Sequence, residues 1–340
     1  MNYTPLTHMA FGYATSQILH AAVRLGVPDA LAGGPLPAAK LAAGTGCDPE
    51  GLARLARALV VLGVLAETDD GYALTELGRP LCTGHPASLR TALLLLGDAA
   101  TWAAWGSLAD AVRLGGSAFE HAHGRPLFDH LAGDPVLSDL FGTAMGDGTG
   151  WVTAELTRVH DFSAARRVVD LGGGNGTLLA AVLAAAPRAH GVLVDSAEGA
   201  VRAAETLRRS VPPDRWSVEP GDFFDAVPPG DVLLLKGILH DWDDDRCAVL
   251  LRHCRRAIAP DGRLLILEPV VPPRAGPGAA ASVLSDIAML VLTGGKERTA
   301  AEFRTLLDSA GFALSGISGT LSGTSTRILT AVPTHIHGVV

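Results

Sequence analysis

Cysteine is scarce in this chain of 340 residues: there are four, Cys47, Cys82, Cys247 and Cys254, with no CxxC pair among them. That excludes a disulfide-stapled secreted fold and leaves thiols expected to pack as free residues in a reduced compartment. Cys247, His253 and Cys254 lie close in sequence, but the two cysteines are seven apart on a predicted helix and no fourth ligand is in view, so no metal is expected. Lysine is scarcer still, at three residues, and 27 basic against 35 acidic residues leave a net charge of −8, so there is no overall electrostatic case for binding nucleic acid. Long apolar runs are missing too. Hydrophobic residues are 48 % of the chain, yet Arg90, Asp98 and others interrupt the richest stretches before the roughly 18–20 uncharged residues that a bilayer span needs. The first residues, MNYTPLTHMAFGYATSQ, have neither a basic region nor a long apolar one behind it. A soluble, unexported, cytoplasmic protein without a membrane partner is expected.

The length is more than one ordinary domain requires, and two cores are expected. Residues 9–92 alternate helical patterns with short turns. In DPEGLARLARALVVLGVL, Asp48 reads as an N-cap and Pro49 as the first helical position, with Leu52, Leu55, Leu59 and Leu62 at helical spacing. VLAETDDGYALT then reads as a hairpin turning at Asp69-Asp70-Gly71. Helix, helix, hairpin is the outline of a winged helix, but the candidate recognition helix offers only Arg54 and Arg57, which favours packing or dimerisation over DNA. Residues 93–160 read as helical, with a glycine-rich break at 146–150. Beyond 165 strand and helix alternate: RRVVDL, TLLAAVLAAA, HGVLV, a helix near 198–209, RWSVEP, DVLLLKG, CAVLLRHCRRAI and GRLLILE. Such solid apolar strands suit a parallel sheet covered on both faces. GFALSGISGT and STRILTAVP are expected to form an antiparallel hairpin at the sheet edge, followed by a frayed tail, THIHGVV.

In VVDLGGGNGTLLAAVL, Gly172, Gly174 and Gly176 fall between a strand and a helix, where backbone N–H groups can approach an anion closely. The dinucleotide fingerprint GxGxxG fails at its third glycine, which disfavours a nicotinamide-dependent reductase and suits a smaller anion, such as the carboxylate of an amino-acid-like cofactor. Asp195 ends the next strand, where a carboxylate can accept the hydroxyls of a ribose; the alternative is a solvated loop acid. Asp222 and Phe223 follow the third strand, Lys236 and His240 end the fourth, and Glu268 is placed at the end of the fifth. All fall on the carboxyl edge, where open α/β sheets bind ligands.

DLGGGNG, GDFF, LKGILHDWDD, LEP and GGKERTAAEF, in this order, resemble the S-adenosylmethionine-dependent small-molecule O-methyltransferases, the plant caffeate-type and bacterial polyketide-tailoring enzymes. The resemblance covers nearly the whole chain and implies a Rossmann-like class I methyltransferase sheet, spanning 161–340, behind a mostly helical, winged-helix dimerisation domain at 1–92 and a helical linker at 93–160 that contributes to the acceptor pocket. It implies S-adenosylmethionine as cofactor and S-adenosylhomocysteine as product, with Gly172, Gly174, Gly176, Asp195, Asp222, Phe223, Lys236, Asp241 and Trp242 around the cofactor. It also implies a homodimer, a phenolic or polyketide-type acceptor in secondary metabolism, and His240 as general base flanked by Glu268 and Glu297. A neutral imidazole titrating near pH 6.5 can take a proton from a phenol. Phe141, Met145 and Met289 match positions that sandwich a planar acceptor, although each reads equally as core. Trp242 reads equally as cover for the sheet. Asp243, Asp244 and Asp245 read as a helix cap and a favourable charge at the helix N-terminus. One departure is VDSAEGA, where the family commonly has Leu-Pro after the aspartate. A tailoring enzyme of this fold that transfers no methyl group, and a winged-helix ligand-sensing regulator, are the competing functions.

Overall fold

The structure is a computed structural model that describes residues 5–321 and 325–334, without the side chains of Trp151 and Pro277. Most of the tail THIHGVV, from residue 335 on, lies outside the described residues. The chain divides into two units, one made of residues up to Trp102 together with 136–147, the other of 103–135 together with everything from Gly148.

The first unit is helical with one hairpin. Asp48 caps the helix Pro49–Val61, its carboxylate accepting from the Gly51 N–H at 2.7 Å, and Pro49 occupies the first turn where its missing N–H costs nothing. Leu52, Ala56 and Leu59 of this helix are buried with Ala22, Val23 and Leu41, while Leu55 and Leu62 pack at the margin. The hairpin strands β1 (Leu65–Thr68) and β2 (Gly71–Leu74) pair antiparallel around Asp69-Asp70, and Leu65 and Tyr72 join the same core. Arg54 and Arg57 face solvent.

The second unit holds the main sheet. Its strands are β3 (Arg167–Leu171), β4 (His190–Asp195), β5 (Trp216–Pro220), β6 (Gly230–Lys236), β7 (Ile258–Val271), the two-residue β8 (Arg298–Thr299), β9 (Phe312–Ile317) and β10 (Thr326–Pro333). They run in the order β5-β4-β3-β6-β7-β10-β9, with β8 beside β7. The strands from β5 to β7 are parallel, whereas β10 pairs antiparallel with both β7 and β9, as expected for the closing hairpin. Both faces are covered, and the strand period of two divides the residues: Leu233 and Leu235 enter one core with Leu250, Leu251 and Phe303, and Val232 and Leu234 enter the other with Leu178, Val182 and Leu207. Glu268 does not end its strand, which continues to Val271. Cys247 and Cys254 are buried packing residues on the helix Asp244–Ala257. Among the described residues no helix is long and apolar enough to cross a membrane.

The chain leaves β3 toward β4 on one side and returns to β6 on the other. Open α/β sheets bind ligands at the carboxyl ends where this reversal occurs. The loops after β3 and β6 therefore meet there.

Candidate active site

The loop after β3 leads into the helix Thr177–Ala185, with Gly172, Gly174 and Gly176 at φ 64, 58 and 77°. These angles are strained for any residue with a Cβ. Space matters as well: a Cβ on Gly172 would lie 2.3 Å from the Ile238 side chain and 3.5 Å from the Phe223 ring, so the loop, the end of β5 and the turn after β6 converge. A Cβ on Gly174 would meet nothing within 4 Å, which leaves the crest of the loop open to a ligand.

Asp195, at the end of β4, accepts the Gly174 N–H at Oδ2 (2.8 Å) and the Ser196 N–H at Oδ1 (2.7 Å). Burial pushes its carboxyl up, and these hydrogen bonds hold it down. Ser196 is part of the departure in VDSAEGA. Its hydroxyl bonds Asp195 Oδ1 at 3.2 Å and caps the next helix by accepting the Gly199 N–H at 3.1 Å, so the altered loop keeps the carboxylate in place. Asp222 steadies its own turn by accepting the Phe224 N–H at 2.8 Å. Lys236 is half-buried at the end of β6, where burial lowers its pKa and the charge of Asp170 raises it.

Sequence reasoning passed over Asp170, although an acid closing an apolar strand just before the glycines was a visible signal. It is fully buried, its carboxyl is pushed up to about 7 chiefly by burial, and its Oδ2 has no hydrogen-bond partner among the described residues. That oxygen lies 2.7 Å from where a Cβ on Gly173 would sit, directly under the loop. A buried carboxyl with one oxygen free of protein partners below the loop, open space above Gly174 and an anchored acid at Asp195 fit an amino-acid-like cofactor with a ribose. Asp195→Ala is expected to weaken cofactor binding by about 1.5–3 kcal/mol, the usual worth of hydrogen bonds to a charged acceptor. Calorimetry giving an unchanged Kd would place the ribose elsewhere.

His240 sits in the short turn Leu239–Asp241 beyond β6. Its Nδ1 lies 3.0 Å from Glu297 Oε1, and the Ser285 hydroxyl donates to the same oxygen at 2.7 Å. The Glu297 N–H in turn donates to Asp286 Oδ1 at 2.9 Å. With the proton on Nδ1 donated to the carboxylate, Nε2 is the basic nitrogen. Glu268 approaches the histidine from its backbone side. Its Oε1 accepts the backbone N–H groups of Ile238 (3.0 Å), Leu239 (2.6 Å) and His240 (3.4 Å), so it holds the turn and makes no hydrogen bond to the ring.

The acids around the ring also correct the expected titration. Burial, the largest single influence, pulls the imidazole pKa down, but the charge of Asp241, the bond to Glu297 and the charges of Glu268 and Glu297 outweigh it and push His240 up to about 9. Asp241, whose Oδ1 is 3.9 Å from His240 Nε2, is pushed up to about 7, chiefly by burial. Groups this close titrate as a cluster. In the cofactor-free protein, an NMR titration of the His240 ring is expected to have its midpoint well above 6.5, and Glu297→Gln should move it down. A midpoint at or below 6.5 in the unmodified protein would contradict the electrostatics described here.

Trp242 packs against the sheet core and against Phe128 (ring centroids 5.6 Å apart) and Phe224 (4.9 Å), with the Arg246 guanidinium 4.5 Å from its own ring centroid. Phe128 had no signal in the sequence, because nothing local relates it to Trp242. Asp243 caps the helix Asp244–Ala257 through the Arg246 N–H at 2.8 Å, as its position suggested. Met289 is half-buried on the helix Ala280–Leu292, one turn beyond Ser285 and Asp286. Phe141 and Met145 lie on the helix Pro135–Asp147, in the part that groups with the N-terminal unit; Phe141 is half-buried and Met145 exposed.

Residues 105–313 match the O-methyltransferase domain family, and residues 7–84 match the O-methyltransferase dimerisation domain. A phenazine O-methyltransferase of Lysobacter antibioticus is 39 % identical over 322 residues, 94 % of each chain. The aclacinomycin 10-hydroxylase of Streptomyces purpurascens is 39 % identical over 318 residues, 92 % of this chain and 84 % of its own. Among solved structures, an O-methyltransferase from neocarzinostatin biosynthesis, in complex with S-adenosylmethionine and 2-hydroxy-5-methyl naphthoic acid, superposes with a TM-score of 0.83 at 31 % identity, covering 98 % of this chain and 100 % of that one.

Proposed function

The chain belongs to the S-adenosylmethionine-dependent O-methyltransferases, and from that premise we propose that it methylates a hydroxyl of an aromatic small molecule, in secondary metabolism and in the cytoplasm, with His240 as the general base. The observation that carries the base assignment is the 3.0 Å approach of His240 Nδ1 to a buried glutamate, at the sheet edge where the glycine loop also lies. S-adenosylmethionine, when bound, would supply an electrophilic methyl group on a sulfonium. Asp195 would hold the ribose, and the loop of Gly172, Gly174 and Gly176, whose N–H groups donate to the Val194 carbonyl, Asp195 Oδ2 and the Gly173 carbonyl, would let the amino-acid end approach closely for want of side chains, while Asp222, Phe223, Lys236, Asp241 and Trp242 would enclose the adenosine and the approach to it. His240 Nε2 takes the acceptor's proton, and Glu297 balances the charge that appears on the ring. The surrounding carboxylates make the imidazole a stronger base while reducing its neutral fraction at neutral pH, so the transfer rate should climb with pH. Orientation does the rest.

Phe141, Met145 and Met289 are proposed to flank the acceptor ring, and the chain is proposed to act as a homodimer through its dimerisation domain. Incubation with S-adenosylmethionine and a panel of phenols and hydroxylated polyketides tests the activity through formation of S-adenosylhomocysteine and a methylated acceptor. A second reading has one specific support, the similarity to a 10-hydroxylase, whose name records a different outcome on this type of chain. Oxygen gained by the acceptor without S-adenosylhomocysteine would select that reading.

A further inference from the structure

Arg298 follows Glu297 directly, on β8, and is the largest of the fully buried side chains described. Its guanidinium donates from Nη1 to the Leu239 carbonyl at 2.7 Å and from Nη2 to the Trp242 carbonyl at 2.9 Å. From Nε and Nη2 it donates to Asp244 Oδ1, at 2.9 and 2.8 Å. Leu239 and Trp242 bracket His240 and Asp241, so one rigid fork grips both ends of the turn that carries the imidazole and bonds neither ring nitrogen. The opposite pole of that turn, its N–H groups, is gathered by Glu268 Oε1. There is no slack between these two holds. A Cβ on Gly295 would lie 2.0 Å from the His240 carbonyl oxygen and 2.8 Å from the Trp242 nitrogen, so the 295–298 segment is pressed against the turn.

A buried guanidinium is weak support for stability, because desolvation offsets the bonds it makes. What it adds is geometry: planar donors on a delocalised group fix two carbonyls at a set separation, which an ammonium on a flexible stem cannot do. The same two-residue step also delivers Glu297 to the ring. We propose that Arg298 is a positioning residue for the methyl transfer, fixing the carbonyls of Leu239 and Trp242 so that His240 Nδ1 stays against Glu297 and Nε2 faces the acceptor hydroxyl. The assignment rests on the reading of His240 as the base.

Arg298→Lys and Arg298→Met, made in the full-length protein, are to be compared with the unmodified enzyme in kcat, in cofactor Kd by calorimetry and in the NMR titration of the His240 ring. Because small misplacements of a reacting group cost about 10²-fold, kcat per folded molecule is expected to fall by about 10–100-fold in Arg298→Met. Cofactor Kd should change far less than kcat, although the same turn carries Asp241 and Trp242 of the proposed cofactor pocket, the His240 midpoint should move as its bond to Glu297 loosens, and Arg298→Lys should recover part of the loss. An undiminished kcat overturns the proposal, and so does a reduced kcat with an unmoved His240 midpoint, which is what a general packing defect would give. If His240→Ala is inactive while Arg298 variants behave like the unmodified enzyme, only the Arg298 assignment fails; an active His240→Ala removes the base reading itself. Should neither Arg298 variant fold, Asp244→Ala, at an exposed position, releases the guanidinium from its far side. It is expected to shift the same midpoint by less, and an unmoved midpoint there also overturns the proposal.

Discussion

Replacing His240 by alanine or glutamine is expected to remove most of the methyl transfer, by about 10²–10⁴-fold, the usual contribution of a positioned general base. S-adenosylmethionine should still bind, because none of the groups proposed to hold it, on the glycine loop, at Asp195, after β5 and at Lys236, Asp241 and Trp242, is removed by the substitution. The sign of the pH dependence follows from the raised pKa. Protons occupy the free imidazole until the pH approaches about 9, so the unmodified enzyme should gain rate as the pH rises from neutrality, and His240→Ala should lose that slope. A neutral phenol methylated at undiminished rate by His240→Ala would show that the acceptor loses its proton elsewhere.

Removing residues 1–90 is expected to abolish activity or cause aggregation. Two physical reasons combine. Leu93 and Leu94, on the helix Arg90–Leu96, pack against the core formed by Ala22, Val23, Leu41 and Leu59, and truncation would strip that core away and leave their apolar surface in water. The intact N-terminal unit also exposes Leu6 (76 %), Met9 (74 %), Phe11 (52 %) and Leu96 (51 %), large apolar side chains that a dimer partner would cover. An obligate dimer interface of more than about 2,000 Å² in total would cover such a surface. Light scattering should therefore give a dimer for the full-length protein at micromolar concentration. A full-length monomer, or a truncated protein that is soluble and fully active, would be incompatible with this expectation.

By itself the sequence determined the parts of the fold that depend on local patterning. Solid apolar runs such as DVLLLK specify strands buried on both faces, Asp48-Pro49 and Asp243 specify helix starts, and Asp69-Asp70-Gly71 specifies a hairpin, each through backbone chemistry acting over a few residues. The glycine loop and HDWDD were legible because strand ends on a parallel sheet share one edge. Tertiary structure alone decided what those residues touch. Glu268 holds the backbone of the His240 turn, while Glu297 reaches the ring and is shared with Ser285; separations of 12 to 57 positions put both facts beyond any local pattern. The protonation of His240 was decided there too, because Asp241 is its neighbour in sequence but Glu268 and Glu297, which raise it further, arrive only when β6, β7 and the segment before β8 are assembled. Nothing in the sequence singled out Arg298. Only the folded chain makes it a buried fork, because a guanidinium enters a core where carbonyls and a carboxylate from a distant segment are already placed to receive it.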